Sequence, residues 1–174
     1  MTYNIPRHIT RLVCVFLLLC SSSCSISYKF NGANIDYSTT HSISIEDFPN
    51  NASLVYAPLS NNLSDAIRDL FQRQTRLKIE RQGGDLELSG EIIGYEISAM
   101  GVAADNYSAE TKLTMRVQVH FVNNIHPEES FDKTYQAYQT FDSSQMLSDV
   151  QDQLCTTMIT EIAESIYNDT VAKW

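Results

Sequence analysis

The plainest chemistry in this chain belongs to Cys24. It closes a small-residue tract, Ser21, Ser22 and Ser23, behind the apolar run Leu12–Leu19 and the cations Arg7 and Arg11. That order of positive, apolar and small residues is a secretory signal, and the apolar run is far shorter than the roughly 20 residues needed to cross a bilayer. A cysteine at the cleavage point is how bacterial lipoproteins begin: the signal over 1–23 is cut, and Cys24 becomes the acylated first residue. Ser21 stands where an aliphatic residue is commoner. Cys20 is a rival lipidation site, disfavoured by the bulky Leu19 before it, and an ordinary secreted protein cut near Ser23 is the bland alternative. Two or more acyl chains hold a protein firmly where one binds only marginally.

The second candidate is a run of cations. Arg68, Arg73, Arg76, Lys78 and Arg81 lie within one short stretch that holds only Asp69 and Glu80 against them. Such a patch meets phosphate or carboxylate groups; the competing reading is a set of solvated, internally paired charges. The rest of the chain is acidic. Its formal charge is −9, and loss of Arg7 and Arg11 with the signal takes it to −11. That excludes a nucleic-acid partner, which needs clustered Lys and Arg. It also repels anionic headgroups, so the lipid anchor must do the membrane work.

Enzyme chemistry is not indicated. His41, His120 and His126 do not stand with Cys, Asp or Glu at metal-ligand spacing, and no G-x-S-x-G, H-E-x-x-H or P-loop occurs. Glu87 and Glu91, with Ser89 between them, read as a solvated strand face before a carboxylate pair. Cys155 is a lone thiol on an amphipathic segment, which reads as a buried apolar residue before a reactive one. No metal, cofactor or disulfide is predicted.

The elements that position these residues are legible. Residues 25–40 read as a polar tether with one extended piece around Ser27–Phe30, and with Tyr28 and Tyr37 as its anchors if it orders on binding. His41–Phe48 alternates as a first strand. Leu59, Leu63, Ala66, Ile67, Leu70 and Phe71 form one apolar stripe over a helix from Leu59 to Thr75, with Pro58 at its tolerated start. Leu77–Arg81 is a second strand and Gly83-Gly84 a turn. Asp85–Ser98 changes face midway: Leu86, Leu88 and Ile92 share one parity, Ile93, Tyr95 and Ile97 the other. Adjacent Ile92 and Ile93 between Gly90 and Gly94 predict a bulge.

Ala109–Val122 alternates most cleanly, with Leu113, Met115, Val117, Val119 and Phe121 inward and Lys112, Thr114, Arg116, Gln118 and His120 outward. One apolar and one polar face mark an antiparallel sheet. Its exposed face, with Tyr95 or Tyr138 as its aromatic, is a further candidate surface. Phe131–Phe141 is the last strand. Asp142, Ser143 and Ser144 are N-cap candidates for a long second helix carrying Leu147, Val150, Leu154, Met158, Ile162 and Ile166. The order predicts one α+β domain over 41–174, a two-layer sandwich with two helices on one face of a mostly antiparallel four- to five-stranded sheet.

Beyond these patterns the chain resembles a known family. The signal ending in Cys24 is followed by Tyr28-Lys29-Phe30-Asn31-Gly32-Ala33, Ile43-Ser44-Ile45 and Phe48-Pro49-Asn50. Gly83-Gly84-Asp85-Leu86, Gly90-Glu91-Ile92-Ile93-Gly94-Tyr95 and Leu113-Thr114-Met115 follow, then Tyr138 through Asp142-Ser143-Ser144 and the terminal Trp174. In order and combination these resemble a divergent branch of the LPS-assembly lipoprotein LptE family. The resemblance implies a non-enzymatic lipoprotein at the periplasmic face of the outer membrane, bound to the β-barrel LPS translocon LptD, partly inside its lumen. Some family members bind lipopolysaccharide. In this acidic chain only the stretch from Arg68 to Arg81 offers cations for lipid A phosphates, so Arg73, Arg76, Lys78 and Arg81 are its candidate anion edge. A pilot or scaffold for another outer-membrane assembly is the alternative. Ser25 after Cys24, with no acidic run following, favours outer-membrane sorting.

Overall fold

The computed structural model describes residues 35–100 and 109–172. The signal, Cys24, the tether as far as residue 34 with Tyr28, and Trp174 lie outside the described residues. The described residues all belong to one compact unit, Gly32–Trp174.

The elements run β1 (Ser42–Ile45), α1 (Leu59–Gln74), β2 (Lys78–Glu80), β3 (Leu86–Ala99), β4 (Glu110–Asn123), β5 (Phe131–Asp142) and α2 (Leu147–Thr170). The five strands form one sheet in the order β2-β1-β3-β4-β5. The fold is the α+β sandwich that the pattern predicts. The sheet is mixed rather than uniformly antiparallel: β1 lies parallel to both β2 and β3, in short ladders, while β3–β4–β5 is antiparallel and long. The parallel part has a plain cause. Helix α1 joins β1 to β2, and a strand–helix–strand crossover returns the chain in the same direction.

Both helices bury one stripe. In α1, Leu59, Leu63, Ile67 and Phe71 are fully buried; at about 1.5–3 kcal/mol per large apolar side chain, this contact rather than helix propensity holds a 16-residue helix in place. In α2 the buried set is Cys155, Met158, Ile159, Ile162, Ala163, Ile166 and Tyr167. They meet Leu113, Met115, Val117, Val119 and Phe121 of β4, all buried as the alternation requires. Asp142, Ser143 and Ser144 do not cap α2. The helix starts at Leu147 behind an extended Met146 with no side-chain cap. Asp142 Oδ1 instead accepts from Ser144 N (2.8 Å) and Oγ (2.6 Å), closing a turn at the end of β5. Short side chains of this kind serve turns as readily as helix starts.

The predicted bulge is present, between Ile92 and Gly94. It leaves Leu86, Leu88 and Ile92 on the core side and brings Tyr95 to the same side, across from Met115. Tyr95 is therefore buried in the core (2% exposed) and only Tyr138 (55% exposed) stands on the open face. The extra residue at the bulge, Ile93, is exposed.

Just before the bulge, Phe48 lies over Gly90 with no exposed surface. A Cβ there would stand 2.2 Å from the Gln118 carbonyl oxygen and 2.6 Å from Phe48 Cε1. Gly90→Ala should therefore cost about 1–3 kcal/mol, a fall of roughly 4–12 °C in Tm, measured by circular dichroism on thermal unfolding. An unchanged Tm would mean that both the β3–β4 backbone pairing and the Phe48 ring yield freely.

Candidate functional site

The cations singled out from the sequence fall where α1 ends and the edge strand begins. Arg73 is in the last turn of α1, Arg76 in the connection, Lys78 in β2, and Arg81 just beyond it. Two are neutralised by neighbours. Arg73 stands 3.8 Å from Asp69, and Lys78 is 2.6 Å from Glu80. Arg76 and Arg81 make no ion pair among the described residues. Arg68 belongs to the fold instead: its Nη2 donates to Asp47 (2.5 Å) and to the Ile45 carbonyl (3.3 Å), pinning the chain after β1 onto α1. Arg81 and Arg68 border an open groove with Ile45, Asp47 and Glu80.

The same end receives the chain from its N-terminal side. Ile35 and Tyr37 pack against the core, and the Tyr37 hydroxyl accepts from the Arg76 backbone N–H at 3.4 Å. The start of β1 is clasped by Asp85. Its Oδ2 accepts from His41 N (2.8 Å), Ser42 N (3.1 Å) and Ser42 Oγ (3.1 Å), while Asp85 N donates to Ser42 Oγ at 3.0 Å. The backbone donor from His41, chiefly, holds the Asp85 carboxyl below its ordinary range. The Gly83–Asp85 turn is thus a latch between β1 and β3.

The histidines and carboxylates that the sequence reads as surface groups do not come together. His120 pairs with Asp132 across two strands, His126 lies 3.4 Å from Glu128, and both are about half exposed. Glu87 accepts from Asn124 (3.1 Å), and Glu91 takes the Asn51 amide. Among the described residues no group of three His, Cys, Asp or Glu side chains could hold a metal ion, and no helix is long and apolar enough to cross a membrane. Cys155 is in the core, with its Sγ 3.2 Å from the Tyr95 hydroxyl. Burial pushes its thiol pKa up, which disfavours the reactive thiolate. Gln151 Nε2 donates to Tyr95 Oη at 2.7 Å, so the triangle ties α2 to β3.

The structure adds a residue that sequence reasoning placed on the outer face but did not single out. Arg116 of β4 stands opposite Gly94, beside the bulge. A Cβ at Gly94 would sit 2.6 Å from Arg116 Nε, so the guanidinium lies close against the β3 backbone. The nearby Tyr138 ring carries the Lys112 ammonium at 5.5 Å from its centroid. The signal was two residues, a glycine and an arginine, far apart in the chain and joined only by strand register.

The described residues form a two-layer α+β domain with one sheet face covered by helices and the other open. The family model described as "LptE: Lipopolysaccharide-assembly" matches residues 40–170, and the chain belongs to that family. It is a membrane-associated lipoprotein family of lipopolysaccharide assembly, non-enzymatic in kind. No curated protein matches the sequence. Among solved structures, a minor lipoprotein from Acinetobacter baumannii is 12% identical, with a TM-score of 0.49 over 73% of this chain and 89% of that one. Rare lipoprotein B from Shewanella oneidensis is 12% identical, at 0.48 over 72% and 91%. The PelC dodecamer from Paraburkholderia phytofirmans is 12% identical, at 0.43 over 77% and 91%.

The Asp85 latch has a pH signature. Its native pKa is below the unfolded value, so its contribution is present in full above the unfolded pKa and is lost as pH falls through the native one. Asp85→Ala should lower stability by about 1–3 kcal/mol at pH 7, with the gap to wild type closing below about pH 4. Urea titrations across that range read it out; a gap independent of pH would show that the ionised carboxylate is not the contributor.

Proposed function

We propose that this protein is a lipid-anchored outer-membrane subunit, on the periplasmic side, that binds and plugs an LptD-like β-barrel translocon and supports lipopolysaccharide assembly without catalysis of its own. The observation that carries this reading is the family match over residues 40–170, which spans every strand and both helices. The domains divide as a signal over 1–23, a lipidated segment over 24–40 and the α+β domain over 41–174. Cys24 is the anchor, because several acyl chains supply what an acidic protein cannot gain from anionic headgroups.

A plug inside a barrel needs a compact body and a surface able to meet protein rather than solvent. The helix-covered sheet supplies the first and its open polar face the second. Lipopolysaccharide contact, where it occurs, falls to the edge formed by Arg73, Arg76, Lys78 and Arg81. Of these, Arg76 and Arg81 are the cations left without an ion pair among the described residues, so they are the ones free to meet phosphate.

Tagged protein extracted from its own outer membrane in mild detergent should co-elute with one large β-barrel protein in stoichiometric amount, and Cys24→Ser should move it to the soluble periplasmic fraction. A lone protein, or a different assembly, would return the reading to that of a scaffold lipoprotein. The paired change Arg76→Glu, Arg81→Glu should lower retention of purified lipopolysaccharide several-fold while leaving barrel recovery intact. Unchanged retention would remove this edge from the account.

A further inference from the structure

Among the described residues the outer face of the sheet is covered by neither helix, and its middle is unusual. Four cross-strand rows meet there: Glu91, Gln118 and Thr134; Gly94, Arg116 and Gln136; Glu96, Thr114 and Tyr138; Ser98, Lys112 and Thr140. Most of these side chains are uncharged and polar, as a wet sheet face should be. Arg116 departs from that pattern. Its Nε is shut away from solvent and donates to nothing among the described residues. Its Nη2 has only a loose ion pair with Glu96, 3.4 Å from Oε1.

A guanidinium carries five donors in a rigid fork, and here the fork lies close against a strand. Gly94, following the bulge, has no Cβ to hold it off the strand, so it rests against the β3 backbone. An ordinary solvated arginine would swing free and satisfy all its donors with water. This one rests against a strand with its buried Nε unbonded and its Nη2 only loosely paired among the described residues, and the side chain is 41% exposed, so its terminal nitrogens can still take a bidentate oxyanion. Around it stand the exposed Ile93 of the bulge and Tyr138, and arginine and tyrosine are among the side chains that anchor protein interfaces.

We propose that this face is a protein-docking surface, centred on Arg116, and that its occupant presents a side-chain carboxylate to the guanidinium. The proposal rests on the barrel-binding reading and names the face that the barrel protein meets. Charge decides between a protein carboxylate and a lipid phosphate. Glu87, Glu91, Glu96 and Asp132 share the face with the cations Lys112 and Arg116, so a sheet of phosphates would be repelled overall. A single carboxylate on a mostly neutral protein surface would not.

The test uses full-length tagged protein in its native outer membrane. A photo-crosslinking residue at Gln136, next to Arg116, should yield an adduct with the barrel protein; one at Thr157, exposed on the outer side of α2, should not. Arg116→Glu should cut barrel recovery in mild detergent by about tenfold or more. Gly94→Ala keeps the charge but lifts the guanidinium off the strand, and should cut recovery several-fold with the Tm of the protein within a few degrees of wild type. Adducts from Thr157 and none from Gln136 would overturn the proposal, as would an adduct from Gln136 with lipopolysaccharide instead of protein. Full barrel recovery by Arg116→Glu, with wild type also recovering it, would sink this face alone and leave barrel binding standing. No barrel recovered with wild type would bring down both.

Discussion

The long antiparallel ladder between β3 and β4, with its one irregularity, is the constraint on which the rest depends. Side chains alternate across a strand, so a single extra residue exchanges the faces for everything beyond it. Below the bulge Leu86, Leu88 and Ile92 feed the core. Above it Tyr95 does, where uninterrupted alternation from Ile92 would send it outward. Tyr95 then reaches Cys155 and Gln151 and fixes where α2 lies. The same shift turns Gly94 outward, against Arg116. One inserted residue thus sets a core tie and a surface feature on opposite sides of the sheet.

Charge is divided as sharply as the two faces. Helix α2 has no Lys or Arg from Leu147 to Thr170, and Asp169 sits at the C-terminal end, where the helix dipole disfavours an anion. That cost is offset from the sheet: Lys133 (2.5 Å) and the Tyr135 hydroxyl (2.8 Å) both bond Asp169 Oδ2. Lys133 is also a charge on the core-side row of the edge strand β5, a device that discourages a second strand from adding there. The edge that closes the sheet and the helix that covers it are secured by one carboxylate.

Much of this was legible because it is periodic. The stripe of α1, the alternation of β4 and the doublet Ile92-Ile93 between glycines each carry a repeat or a break in one that sequence alone displays. What escaped depends on pairing at a distance. The side on which Tyr95 falls could not be settled while the length of the irregularity was open. The preference of Asp142 for a turn over a helix cap is decided by where β5 ends. The Asp85 latch and the Gly94–Arg116 stack join residues that are remote in the chain, and register alone brings them together. The basic run was visible as composition, but its division into paired Arg73 and Lys78 and, among the described residues, unpaired Arg76 and Arg81 was not.

The residue that breaks a local rule is the informative one. Nearly every buried polar atom in a folded protein finds a partner, and the exceptions collect where a structure serves something other than its own stability. Arg68 and Arg116 make the contrast within one chain. Arg68 spends its donors on Asp47, Asp65 and the Ile45 carbonyl and so holds the fold together. Arg116 leaves its buried Nε unbonded among the described residues and has a loose ion pair with Glu96 on the uncovered face. Stability alone would favour Thr or Val there, residues that suit a sheet surface and leave no donor orphaned. A cation kept at that position, over a glycine that weakens the strand carrying it, is accounted for by what it meets outside the chain.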